Sequence, residues 1–208
     1  MFCLPHRRRL PEVAATLGLV LSTIVVACSG TIGASPGPSV KPSAGPAHKS
    51  ASCKQPQPAP GELGLAGLSY GAAHTGQDPT RGVFPSREEI EADMPTLASL
   101  AGYIRLYSAT GPAETIVEAA QAAGLCVALG IELGSDPAAN VREMMAGERL
   151  ASHKAVHALI VGNEVLQNGV LSEQQLRSDI DRVRAQLGRA VPITVADTYT
   201  EWLQHPGP

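Results

Sequence analysis

The stretch "ALIVGNEVL", residues 158–166, carries an apolar run straight into Gly162, Asn163 and Glu164. A carboxyl group at the mouth of an apolar segment is partly desolvated, which raises its pKa and suits it to donate a proton. The Asn163 amide beside it can bind a hydroxyl. Neighbours in a regular strand point to opposite sides, so both reach one site only where the strand twists or bulges, and Gly162 eases that. The plainer alternative is that Glu164 solvates a strand end or begins a helix. Tyr70, Tyr107, Glu132 and Asp197 stand in comparable places, each at or just beyond the end of its own apolar run.

Those runs alternate with helical patterns. "LGLAGLSYG", "YIRLYS", "LCVALGIEL", "VHALIVGNEV" and "PITVADTY" read as five strands. Between them lie four segments with helix signals. Ser86 with Glu89 makes a capping-box pattern before Ile90, Met94, Leu97 and Leu100. "AETIVEAAQAAG" ends on a closing glycine. Asp136 and Pro137 open the third helix. Ser172 and Gly188 bracket the fourth. Strict alternation of strands and helices implies an α/β fold, and continuous apolar strands imply a parallel sheet covered on both faces. Two closures fit: a doubly wound sheet or a (β/α)8 TIM barrel. No GxGxxG follows the first strand, so a dinucleotide site has no support. Polar residues ringing the carboxyl ends of the strands favour the barrel, whose sites are built on that rim. The expectation is a half-moon of strands in the order 1-2-3-4-5.

The rest of the chain is different in kind. Arg7, Arg8 and Arg9, an apolar run from Val13 to Ala27, and "VVAC" ending at Cys28 read as a signal peptide over residues 1–27. "VVAC" resembles a lipobox, which implies acylation of Cys28, export, and a membrane anchor facing the extracytoplasmic side. Simple secretion is the alternative. Residues 28–62 are rich in Ser, Pro, Gly and Ala and read as a disordered tether. That leaves residues 63–208 as the folded domain. Its core relies on aliphatic residues, because aromatics make up 3% of the chain. The formal charge of −3 argues against a nucleic-acid partner. Cys126 reads as a buried small hydrophobe, with a Cys53–Cys126 bridge as the alternative. His153 and His157 straddle a helix end and a strand start, so neither they nor any cysteine spacing implies a metal. No cofactor is expected.

"GLSYG", "GVFPSREEIEADM", "YIRLYS", "VGNEVL" and "ITVADTYTEWLQHP", in that order, resemble the bacterial branch of glycoside hydrolase family 17. The resemblance runs from about Leu65 to the last residue. It implies a (β/α)8 barrel acting on β-1,3-glucan, with Glu164 as general acid/base after Asn163 at the end of strand four. It also implies substrate contacts from Tyr70, Arg105, Tyr107 and Asp197. Arg105, inside a strand, needs a partner, and pairing with an inward acid is the alternative to contacting a ligand. Trp202 either stacks on a sugar or packs its loop. A retaining mechanism needs a second carboxylate about 5–5.5 Å from the first, and the family places it near the end of strand seven. The sequence stops after strand five, and Glu132 and Glu201 do not match that position. The expectation is therefore an incomplete catalytic domain. A non-catalytic glucan-binding remnant and a transglycosylase are the alternatives.

Overall fold

A computed structural model describes residues 65–205. Cys28, Cys53, the signal segment and the tether lie outside the described residues. Five parallel strands form one sheet in the order β1-β2-β3-β4-β5: Leu65–Ser69, Ala101–Leu106, Cys126–Ile131, Val156–Asn163 and Ile193–Ala196. Helices α1 (Arg87–Leu100), α2 (Ala113–Ala123), α3 (Pro137–Leu150) and α4 (Glu173–Leu187) connect them. This is the half-barrel expected, and the unbroken sequential order excludes a doubly wound sheet, which reverses at a switch point. Two elements were not anticipated. A 3-10 turn at Pro79–Arg81 sits in the β1–α1 loop, and a short helix α5, Tyr199–Gln204, follows β5.

The local signals act as read. The Ser86 hydroxyl accepts from the Glu89 amide at 3.2 Å, and the Glu89 carboxylate accepts from the Ser86 amide at 2.8 Å. Ser172 and Gln175 form the same reciprocal pair before α4. Gly124 closes α2 at φ 77.

The strands differ from expectation in their burial. On β2, Ile104 and Leu106 are buried towards the helices, whereas Tyr103 and Arg105 are half-buried and Tyr107 is exposed. The helix side holds the core: Ile104, Leu129, Leu159 and Val161 join Ile90, Val117, Met144, Leu150 and Leu176 in one apolar cluster. The other side is a partly open floor among the described residues.

Cys126 is buried but is not a free thiol. It is disulfide-bonded, to a partner outside the described residues.

β2 and β3 lie unusually close at the rim. A Cβ on Gly130 would overlap the carbonyl oxygens of Leu106 and Tyr107. These are backbone atoms in a hydrogen-bonded sheet and cannot move aside cheaply. Gly130→Ala should therefore cost at least the ~1–3 kcal/mol typical of overpacking, read as a lower urea midpoint. An unchanged midpoint would mean that the sheet can part at this point.

Candidate active site

The end of β4 is irregular. From Ile160 to Asn163 it advances three residues while β5 advances two, from Thr194 to Ala196. That surplus residue is a bulge, the geometry that lets Asn163 and Glu164 serve one side. Gly162 takes φ 82 to make it, and Glu164 follows at φ 53, the one non-glycine with positive φ among the described residues. A left-handed conformation costs a side-chain-bearing residue about 1–2 kcal/mol. Such strain persists where the surroundings over-determine it, often at functional sites.

The surroundings here are specific. The Glu164 amide donates to the Ala196 carbonyl at 2.8 Å, tying the turn to β5. Asp197 gives both carboxylate oxygens to backbone: Oδ2 accepts from the Leu166 amide at 3.0 Å and Oδ1 from the Thr198 amide at 2.8 Å. The Thr198 hydroxyl donates to Gln167 at 2.8 Å. Asp197 thus pins the loop that carries Glu164. The Glu164 side chain is exposed, which differs from the partial desolvation expected. Among the described residues, the rim is open on that side.

Asn163 is oriented by Arg105. The Arg105 guanidinium donates to Asn163 Oδ1 at 2.6 Å, reaching from β2 past β3. It also stacks over the Tyr107 ring, 4.6 Å from its centroid. Its partner is therefore an amide and a ring, where the sequence left an acid as one option. Its Nε is buried and without a hydrogen-bond partner among the described residues. The Tyr107 hydroxyl donates to Ser69 at 3.3 Å. The bulge, Arg105 and Tyr107 thus form one connected floor.

Tyr70 faces two ways. It lines a cleft of about 430 Å3 with Phe84, Tyr107 and Glu132. Its hydroxyl, however, donates to Asp93 on α1 at 2.6 Å. Burial and this bond push the phenol pKa well up. His74 Nε2 pairs with the same Asp93 oxygen at 3.0 Å. Burial pushes Asp93 up, but the bonds from Tyr70 and His74 outweigh it and leave its pKa lowered.

Other residues fall elsewhere. Glu201 and Trp202 lie on α5, where Glu201 is 3.6 Å from His205. His157 meets the Tyr103 ring edge-on at 5.9 Å between centroids.

Sequence reading passed over Glu143. This α3 carboxylate is 6% exposed and accepts four hydrogen bonds. They come from the Ser108 hydroxyl at 2.6 Å, the Thr110 hydroxyl at 2.5 Å, the Ala109 amide at 2.8 Å and the Glu132 amide at 3.1 Å. One turn earlier, Asn140 clamps Gly134 through both its amide and its carbonyl, at 2.7 and 2.8 Å. Together they fix the two loops that carry Tyr107 and Glu132. In sequence the only hint was an acid at helical spacing with Asn140 and Gly147.

The BtgE/BtgC glycoside hydrolase domain model matches residues 67–208. The solved structures similar to this chain include two of the same kind. One is a glycoside hydrolase family 17 β-1,3-glucanosyltransferase from Rhizomucor miehei, with TM-score 0.58 and 25% identity, covering 66% of this chain and 51% of its own. The other is an active-site mutant of the Rhizomucor miehei β-1,3-glucanosyltransferase in complex with laminaritriose, with TM-score 0.56 and 25% identity, covering 65% and 50%. The chain spans about half the length of these structures. No curated protein matches it.

The His74–Asp93 pair generates a pH expectation. The bond to Asp93 raises the His74 pKa. Its stabilising effect is therefore full below the ordinary histidine value of about 6.5 and is lost as pH rises through the raised one. An NMR titration should find the His74 imidazole titrating above that of a free histidine, and Asp93→Asn should bring it down. A titration indifferent to Asp93→Asn would refute the pairing.

Proposed function

Since the chain belongs to the BtgE/BtgC glycoside hydrolase domain family, we propose that it carries the acid/base side of a retaining β-1,3-glucan-cleaving site, with Glu164 as the proton donor. The observation that carries this reading is the β4 bulge, which sets Glu164 beside Asn163 in a strained turn held by β5. Family membership supports the reaction class. The laminaritriose bound in a similar structure supports the substrate class.

In this mechanism the protonated Glu164 gives its proton to the glycosidic oxygen as the C1–O bond breaks. A second carboxylate attacks C1 from the opposite face and forms the glycosyl-enzyme. Glu164, now ionised, takes a proton from the incoming water, which releases the sugar with its anomeric configuration retained. Asn163 has a defined part. Its Oδ1 is occupied by Arg105, so its Nδ2 is the end that donates to a sugar hydroxyl. The second carboxylate is assigned, by resemblance, to a seventh strand, and the described residues comprise five strands.

A second reading is transfer, in which a sugar hydroxyl takes the place of water. Both similar structures are glucanosyltransferases, and this favours it. The two readings share every residue role above and differ in product length: transfer gives oligosaccharides longer than the substrate.

The test uses laminarin-type β-1,3-glucan with residues 29–208 and with a longer in-frame form containing a seventh-strand glutamate. Reducing-sugar release should be undetectable for the first and robust for the second. Glu164→Gln in the longer form should lose about 10²–10⁴-fold, the usual worth of general acid–base help. An active long form indifferent to Glu164→Gln would remove the central assignment. Activity in the short form would give the nucleophile's part to Glu132 or Glu201.

We also propose export and lipid anchoring through Cys28, on the basis of the basic leader and "VVAC". Cys28→Ser should shift the protein from the membrane to the soluble fraction, and globomycin-type inhibition of the unaltered protein should leave an unprocessed precursor. Processing indifferent to both treatments would point to simple secretion.

A further inference from the structure

The cleft at the β1–β2 end of the rim is chemically distinct from the Asn163–Glu164 turn. Phe84 and Tyr107, 42% and 47% exposed, both line it. Each ring is backed on one side. The Phe84 ring rests on bare backbone, with ring carbons 3.1 Å from where a Cβ on Gly111 would sit. The Tyr107 ring rests on the Arg105 guanidinium. Rings fixed in this way lose little freedom when something stacks on their other face.

The remaining lining narrows the ligand. Hydroxyls come from Thr80 and Ser108, and Glu132 is the charged side chain on the wall among the described residues. Glu132 projects from a fixed point, because Glu143 holds its backbone amide. An anion would be repelled by that carboxylate and would find no cation on the wall. Ring faces take the C–H face of a pyranose, and a carboxylate accepts from its hydroxyls. The cleft volume of about 430 Å3 lies within the range of small-ligand sites. Position then selects the occupant. Arg105 touches both Asn163 and Tyr107, so this cleft and the reaction centre are separated by one guanidinium, and a polymer lying at one reaches the other.

We propose that the cleft lined by Phe84, Tyr107 and Glu132 is a peripheral glucosyl subsite. It holds a unit of the β-glucan chain away from the bond that is cut, stacked between the two rings and hydrogen-bonded to Glu132. The proposal rests on the β-glucan reading above, and it adds Phe84 and Glu132 to the residues that meet substrate.

Calorimetric titration of the full chain with laminarihexaose and laminaribiose tests it. The hexaose should bind more tightly than the biose. Phe84→Ala should weaken hexaose binding about 10-fold, the scale of one lost aromatic contact, and leave the biose unchanged. Phe84→Tyr should keep wild-type affinity, and Glu132→Gln should weaken the hexaose several-fold. If thermal melting shows that Phe84→Ala loses the fold, Phe84→Leu serves in its place. It keeps apolar volume without the ring and should also weaken the hexaose. Hexaose affinity unchanged in both the Phe84 and Glu132 variants overturns the subsite. Absence of hexaose binding by the unaltered chain overturns the β-glucan reading with it. Glu164→Gln separates the two claims: it should slow cleavage in the longer form by about 10²–10⁴-fold and leave hexaose affinity intact.

Discussion

Between Ile160 and Asn163, β4 carries one residue more than β5 has room to match. The backbone absorbs the surplus by turning left-handed at Gly162 and again at Glu164. Without that turn, Asn163 and Glu164 would point to opposite faces of the sheet, and no single ligand would meet both. A Cβ at residue 162 would have to adopt φ 82 while pressing on Val165 at 3.2 Å, so a glycine is required. The glutamate after it is held in an unfavourable conformation by the Ala196 carbonyl. The loop beyond it is held by Asp197. β5 therefore acts as the clamp for the residue proposed to do the chemistry.

A second polar device works on the other half of the rim. Loops that carry binding side chains need fixed backbones, and loop backbones have amides to satisfy. Glu143 and Asn140 meet both needs from α3, with hydrogen bonds to residues 108–110, 132 and 134. Removing the Glu143 carboxylate would leave four donors facing a buried gap. The floor between the two halves is the Arg105 guanidinium, shared by Asn163 and the Tyr107 ring. Arg105 thus links the two halves, while Asp197 and Glu143 tie the loops around them to backbone amides.

Much of this was legible in the sequence because its causes are local. The capping pairs at Ser86 and Ser172 and the closing glycine at 124 act within a few residues of one another. Strand order followed from alternation and from the polar rim. The need for a bulge at Gly162 followed from asking how adjacent residues could share a site. What was missed depends on contacts far apart in the chain. Glu143 looks like an ordinary helical acid until Ser108 and Glu132 are brought to it, and Tyr70 gives no sign of Asp93. The exposure of Glu164 and the half-open floor depend on how much of a barrel surrounds them, which no local pattern records. Cys126 sits in an apolar run and so reads as a buried small hydrophobe, whereas it is disulfide-bonded, which no local spacing records.

The central claim is that Glu164 is an acid/base and not a nucleophile. These roles are separated most directly by azide rescue of Glu164→Ala in the longer form, on an aryl β-glucoside with a leaving group too good to need protonation. With the acid/base lost, the glycosyl-enzyme still forms and azide attacks it. Turnover should recover, with the β-glycosyl azide as the product. Recovery as the α-glycosyl azide would make Glu164 the nucleophile. No recovery at all, with the fold intact, would remove it from the reaction.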